Sequence, residues 1–434
     1  MSSLQSTGFK SYIIVWFGQL MSLTGTAMTR FALTIWAYSE TNSATVLALM
    51  SFFSFVPIIV FSPIAGVLVD KWSRKFVMML SDIGAGISTL ILVILFLLNM
   101  IEIWHLYVLG AFAASFEAFQ FPAFSSAITM MVKKEQLSQA SGLLSVAQTS
   151  STIVAPILAT IVLSTFGLVH ILIIDVISVI VAVIAIALVY IPNPEPSKDN
   201  STKTNVFFDE VTFGFKYILN RPSLLGLQIL FFAFNIFMGA TMVLVAPLVL
   251  SSTDNNQNAL AIVQSALGAG GFVGSLTMST WAGPRKRVYG VFLSMIGTSL
   301  FGIMILGLGN TILLWTIGGF FMMFFIPIMN ASNQVIWQSK VSPHLQGRVF
   351  SVRRLIAQIT LPLAMIIAGP LVEFVFEPIF QNVTAMSPLV GAQTGSGISV
   401  LLLLLGLFGA LTGLSGFLFN TTHNAEALLP NYDE

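Results

Sequence analysis

The chain has 434 residues, of which 56% are hydrophobic and only 8% charged, with a net charge of +1 and a mean hydropathy of +0.92. Soluble domains carry about 25% charged residues, so a chain of this composition cannot build a polar shell and most of it must lie in lipid. The near-zero net charge excludes nucleic-acid binding through general basicity. The absence of cysteine excludes disulfides, thiol catalysis and cysteine metal sites. His105, His170, His344 and His423 are scattered without metal-ligand spacing, so no metal or cofactor is expected.

Runs of about 20 apolar residues mark twelve candidate membrane spans: 11–37, 43–69, 76–100, 104–131, 138–165, 168–191, 223–250, 258–282, 287–309, 311–339, 347–376 and 396–420. Residues 1–9 are too short and polar for a cleaved signal peptide, which leaves the first span as an uncleaved anchor. The longest polar break, Pro192 to Arg221, separates residues 1–191 from 223–434 as two six-span halves, with 192–222 as a linker. Within it Phe207, Val211, Phe215 and Ile218 share one helical face, as in a short helix lying at the cytoplasmic interface. With the N-terminus inside, seventeen of the eighteen basic residues fall in cytoplasmic segments, and the eighteenth is Arg30 within the first span. Basic loops stay on the cytoplasmic side, so a multi-pass cell-membrane protein with both termini inside is expected. Pro122 and Gly142 recur 205 positions later as Pro327 and Gly347, and Pro156 has a near match in Pro362. Such repeated landmarks suit a parallel-repeat transporter.

Between the second and third spans, Gly66-Val67-Leu68-Val69-Asp70-Lys71-Trp72-Ser73-Arg74-Lys75 puts four formal charges into six residues. This stretch resembles the loop between helices 2 and 3 of the major facilitator superfamily, G-x-L-x-D-[RK]-x-G-R-[RK], with Ser73 where the family usually has Gly. The second-half copy is eroded to Gly274–Arg287 and has lost the acid. Thr41-Asn42-Ser43-Ala44, Phe121-Pro122-Ala123, Glu135-Gln136-Leu137 and Gln346-Gly347-Arg348-Val349-Phe350 resemble the drug:proton antiporter branch, which includes macrolide-efflux-like and enterobactin-exporter-like proteins. The resemblance implies an all-α fold of twelve transmembrane helices in two pseudo-symmetric halves, with helices 1, 4, 7 and 10 lining the cavity. It also implies a gating role for Gly66, Asp70, Arg74 and Lys75, with Gly347 and Arg348 at the start of the eleventh span.

Ala147, Ser151, Ala155-Pro156 and Ala159-Thr160 in the fifth span follow the spacing of an antiporter signature, with small residues in place of glycine. The same spacing also serves close helix packing in lipid. Gly268-Ala269-Gly270-Gly271-Phe272-Val273-Gly274 lies inside an apolar span and misses the G-x-G-x-x-G spacing, and G-x-x-x-x-G-K-[ST] is absent. Gly270 and Gly274 therefore read as a helix-contact pair, and ATP is not expected as a partner.

Charges inside the spans carry most of the functional information. Glu117 lies mid-span with Gln120 one turn further on the same face. An intramembrane carboxylate is costly unless paired or protonated. Three roles fit Glu117: a reversible proton carrier, a static bridge to Arg30, or a substrate contact. Asp82 and Asp175 lie nearer span ends and read as shallow carboxylates reached by water. Arg353 and Arg354 lie within reach of the cytoplasm by snorkelling. Asn235, Asn330, Asn333 and Gln334 either line a cavity or bridge helices. The expected activity is proton-driven export of a hydrophobic or amphipathic small molecule by a bacterial protein acting as a monomer. Its partners would be substrate, protons and the lipid bilayer, without nucleic acid. Uptake on the same fold and a transport-dead sensor are the alternatives; no catalytic cluster supports an enzyme.

Overall fold

The computed structural model describes residues 8–132, 136–192, 204–281, 283–341, 343–380 and 396–428. Among these there is no strand. The helices are α1 (Phe9–Thr41), α2 (Ala44–Lys71), α3 (Arg74–Leu97), α4 (Ile103–Met131), α5 (Leu137–Phe166), α6 (Leu168–Leu188) and α7 (Thr204–Leu219). They continue with α8 (Pro222–Ser252), α9 (Gln257–Trp281), α10 (Arg287–Leu308), α11 (Ile312–Lys340), α12 (Pro343–Leu371) and α13 (Ser396–Leu418). Two short helices, α14 (Asn420–His423) and α15 (Ala425–Leu428), follow. All-helical structure is what lipid demands, because an unsatisfied backbone group has no water to turn to there. Ten of the long helices are apolar enough to cross a membrane, and α1 and α4 are not among them. Those two carry Gln19, Arg30, Glu117 and Gln120.

Local signals set the helix ends. Ser73 Oγ accepts from Phe76 N–H at 3.2 Å and caps α3, so the serine that departs from the family glycine satisfies a free donor at a helix start. The backbone N–H of Glu102 donates to His105 Nδ1 at 3.0 Å at the start of α4. Gly167, at φ 84°, is the single residue between α5 and α6, a left-handed turn that a side chain would strain. Thr298–Ile303 inside α10 and Val372–Phe376 directly after α12 are wound as π-helix, which the apolar pattern does not encode.

Contacts divide the chain into two compact units: one up to Lys198 apart from Ser43–Thr45, the other holding Ser43–Thr45 and everything from Asp199. In the first, α1 packs on α5 and α6, and α3 on α4 and α6. In the second, α8 packs on α12 and α13, and α10 on α11 and α13. The same pairings thus recur six long helices later. Pro122 and Pro327 lie inside the matching helices α4 and α11, and Pro156 and Pro362 inside α5 and α12.

Helix α3 turns much of its apolar surface outward. On α3, Ile83, Ile87, Leu90, Ile94 and Leu97 are exposed, while Asp82, Gly86, Thr89 and Val93 are buried. Apolar surface gains little by leaving lipid, so small and polar residues contribute to the packing beside the apolar clusters. The stripe Ala147, Ser151, Ala155, Ala159 and Thr160 is buried on α5, and Ser151 shares a 3.0 Å hydrogen bond with Thr24 of α1. One end of the first unit is closed by an apolar cluster of Tyr12, Val15, Met78, Phe124, Ile128 and neighbours, with Tyr12 Oη donating to Ala140 O at 2.7 Å. Helix α7 packs on α12. Tyr217 and Ile218 are buried with Leu224, Trp337, Val349 and Val352, and Phe215 stays exposed. Phe207 and Val211 lie outside the residues whose side chains are described.

The closest helix contact in the second unit is α9 against α11. A Cβ on Gly270 would sit 2.1 Å from Phe320 O, and one on Gly274 2.1 Å from Phe324 O, while one on Gly271 would meet nothing within 4 Å. Gly274→Val should therefore cost about 1–3 kcal/mol or more and lower the thermal unfolding midpoint in detergent, whereas Gly271→Ala should not lower it. Equal midpoints for the two variants would contradict this packing.

Candidate functional site

Helix α1 presents a polar stripe to the interior of the first unit. Gln19, Ser22, Thr26 and Arg30 follow one another at three- and four-residue steps and so share one face. On α4, Glu117 and Gln120 do the same. Together with Leu23, Ser81, Asp82, Phe124, Gln148, Ser151 and Thr152 they line a cavity of about 360 Å³, within the range of small-molecule pockets. Uncharged polar groups and aliphatic carbons make up most of its wall; Arg30, Asp82 and Glu117 are its ionisable members.

Arg30 Nη2 donates to both Glu117 carboxylate oxygens, joining α1 to α4. The pair faces the cavity, with 55% of the Arg30 side chain and 25% of that of Glu117 accessible. Such a charge-assisted contact neutralises two groups that neither helix could hold alone in lipid. It faces an opening rather than sealed protein, so either partner is within reach of a bound molecule.

Asp82 and Asp175 are not the shallow carboxylates expected from sequence. They are 6% and 1% exposed, because neighbouring helices cover them however close to a helix end they lie. Asp82 Oδ2 accepts from Gln19 Nε2 at 2.8 Å, and Oδ1 from Gln120 Nε2 at 3.1 Å. Gln120 Nε2 also donates to Gln19 Oε1 at 2.6 Å. Asp175 accepts from Thr26 at 3.1 Å and Thr89 at 2.9 Å, tying α6 to α1 and α3. Sequence reasoning missed Gln19. Its signal was present in the eleven-residue step to Arg30, three helical turns along one face.

The other expected site residues are placed differently. Gly66 and Asp70, like Gly347 and Arg348, lie outside the residues whose side chains are described. Lys75 Nζ donates to Ala187 O at 2.7 Å and Val189 O at 2.9 Å, a cation on the C-terminal carbonyls of α6. Arg74 Nε and Nη1 are buried without a hydrogen-bond partner among the described residues. In the second unit, Arg353 does not snorkel to the cytoplasm as expected. Its Nη1 donates to Gln334 Oε1 at 2.9 Å, and its guanidinium lies 5.1 Å from the Trp337 ring centroid. An amide and an aromatic face turned the charge inward. Asn333 is 2% exposed, while Asn235 is half-buried and Asn330 exposed.

Two helical units with the same internal pairing, one enclosing an ion-paired polar cavity, define a polytopic membrane transporter. A family model described as Major Facilitator Superfamily matches residues 15–365, and the chain belongs to that superfamily. It is 27% identical over 370 residues to macrolide efflux protein A of Streptococcus pyogenes, covering 82% of this chain and 88% of that one. It is 24% identical over 383 residues to the multidrug efflux pump Tap of Mycolicibacterium fortuitum, covering 83% and 89%. Among solved structures it resembles a bacterial homolog of the human lysosomal transporter Spinster, with TM-score 0.69, 17% identity and coverage of 96% and 98%. It also resembles the POT family transporter PepTSo, with TM-score 0.71, 12% identity and coverage of 96% and 98%. At those identities the structural likeness concerns the fold alone.

The pair lends itself to a double-mutant cycle. Arg30→Gln and Glu117→Gln each strand one intramembrane charge, whereas the double variant strands none. The double variant should unfold at a higher temperature than additivity of the singles predicts, with a coupling energy of about 1–3 kcal/mol. Strict additivity would mean that the two charges do not sense each other.

Proposed function

We propose that the protein exports an amphipathic small molecule by proton antiport, and that the Arg30–Glu117 pair couples the two movements. The observation that carries this reading is an ion pair placed on the wall of a cavity instead of in sealed packing. Export as the direction, and a macrolide-like or other multidrug cargo, are supported by the relatives named as efflux proteins. Gradient drive is supported by the absence of a phosphate-binding glycine motif.

With the cavity empty, Arg30 keeps Glu117 neutralised. When a cationic cargo or a proton displaces the guanidinium, the freed carboxylate is neutralised by whichever of the two it holds, cargo on the outward path and a proton on the return, since a bare charge at that depth is costly. One proton would then accompany each cycle. The two six-helix halves, residues 1–191 and 223–434 joined by 192–222, would alternate access to the cavity. The stretch from Gly66 to Lys75, together with Gly347 and Arg348, would gate it. The one-sided distribution of lysine and arginine supports cytoplasmic termini, and a single chain is taken as the working unit.

The test is transport in proteoliposomes under an imposed pH gradient, with radiolabelled erythromycin as the macrolide probe. Wild type should concentrate the probe. Glu117→Gln should still exchange it down its own gradient while losing pH-driven accumulation. A Glu117→Gln protein that concentrates erythromycin as well as wild type would rule out this coupling and leave the pair a structural one.

A further inference from the structure

The mechanism above uses Glu117 and leaves Asp82 without a task, although both line the same cavity. Asp82 is buried with its two oxygens held only by the neutral amides of Gln19 and Gln120. No cation among the described residues faces it. Helix α1 presents Gln19 and Ser22, and α4 presents Gln120 with Glu117 one turn away. Helix α5 presents Gln148, Ser151 and Thr152, and α3 itself Ser81. The nearest acid from α6, Asp175, is taken up by Thr26 and Thr89, and the guanidinium of Arg30 is taken up by Glu117. An ionised Asp82 is therefore uncompensated in a medium that does not tolerate bare charge. A second observation points the same way. Gln120 Oε1 is buried without a hydrogen-bond partner among the described residues, while its Nε2 already serves both Gln19 and Asp82.

We propose that Asp82 is a second proton-binding carboxyl of this cavity, and that the Gln120 amide turns over to follow its protonation. The proposal rests on the proton-coupled reading of the same cavity. In the step, a hydronium ion entering the cavity gives its proton to an Asp82 oxygen. An O–H bond forms on the carboxyl and one breaks on the hydronium, which leaves as water; no electrons change hands. The new O–H needs an acceptor, and a half-turn of the Gln120 amide offers the orphaned Oε1. That turn withdraws Nε2 from Gln19 Oε1 and from Asp82. Protonation thereby releases the hydrogen bond between α4 and α1 while Gln19 still holds Asp82. Proton uptake at Asp82 loosens one wall of the cavity, and deprotonation ties it again.

Infrared difference spectroscopy on the full chain in lipid, titrated over roughly pH 4 to 9, tests this without a transported ligand. The readout is the carbonyl band of protonated carboxyl groups, identified by its shift in D2O. Without cargo Glu117 stays paired with Arg30, so wild type should show a contribution that Asp82→Asn removes. Gln120→Leu should keep the Asp82 contribution but move it in frequency, since its hydrogen-bond partner is gone. Should Asp82→Asn fold poorly, Asp82→Glu should retain the contribution at a shifted frequency. An Asp82→Asn spectrum identical to wild type across the titration, or a band that answers to sodium and not to pH, would overturn the proposal. A Glu117→Gln protein that still concentrates erythromycin in proteoliposomes, with the Asp82 band intact, would instead sink the coupling role of Glu117 and leave Asp82 as the proton site.

Discussion

An ionised carboxylate in the hydrocarbon region has no water to stabilise it, and three acids in the first unit have to live with that fact. Glu117 meets it with a guanidinium held bidentately on its oxygens. Asp175 meets it by accepting from two threonine hydroxyls of two other helices. Asp82 meets it with two amides and no counter-charge. Each solution draws a partner from α1, so the position and rotation of that helix decide whether all three are neutralised together. Arg30, Thr26 and Gln19 stand on a single face of it, and a turn of the helix that moved one would move the others.

The rotation of α1 is itself held by close packing. A Cβ on Gly25 would lie 2.4 Å from Ser178 Oγ, and one on Gly18 would lie 2.8 Å from the Ala185 methyl. Glycine at these positions lets α6 come near enough for Asp175 to reach Thr26. From the other side, the small-residue stripe of α5 brings Ser151 to Thr24. In lipid the drive to bury carbon is missing, so these contacts and the hydrogen bonds between them carry the packing. The exposed isoleucines and leucines of α3 and α6 face outward for the same reason. Small and polar residues share the inside of this protein with apolar clusters such as that around Phe234, Phe292 and Met295.

The charged stretch after α2 illustrates how a motif and a structural duty coincide. Ser73 caps α3, and Lys75 closes the carbonyl end of α6, so two of its residues already fasten α3 within the first unit. Arg74 is the member left with buried donors and no partner among the described residues. That makes it the group with spare hydrogen-bonding capacity in a segment whose resemblance speaks of gating. In the second unit two other cations are handled locally. Arg353 turns to Gln334 and Trp337, and Lys340 Nζ donates to Glu426 O at 2.6 Å beside the short C-terminal helices.

Composition and the spacing of apolar runs were enough for the number and order of the long helices. Lipid leaves an apolar stretch of 20 residues or more few structures besides a helix. The pairing of Arg30 with Glu117 was also legible, because two opposite charges placed mid-span have few other ways to be stable. The stripe at Gln19, Ser22, Thr26 and Arg30 went unread, although its spacing marks one helical face, because spacing does not say which face lines a cavity. Depth along a helix misjudged Asp82 and Asp175, since burial depends on which helices lie alongside and not on the distance to a chain end. Arg353 was misjudged for the same reason: whether a long cation reaches for water or for an amide depends on what a neighbouring helix presents. The triad of Asp82, Gln19 and Gln120 joins three helices that sequence leaves unconnected. Only packing, by deciding which faces meet, could bring those side chains within hydrogen-bonding distance.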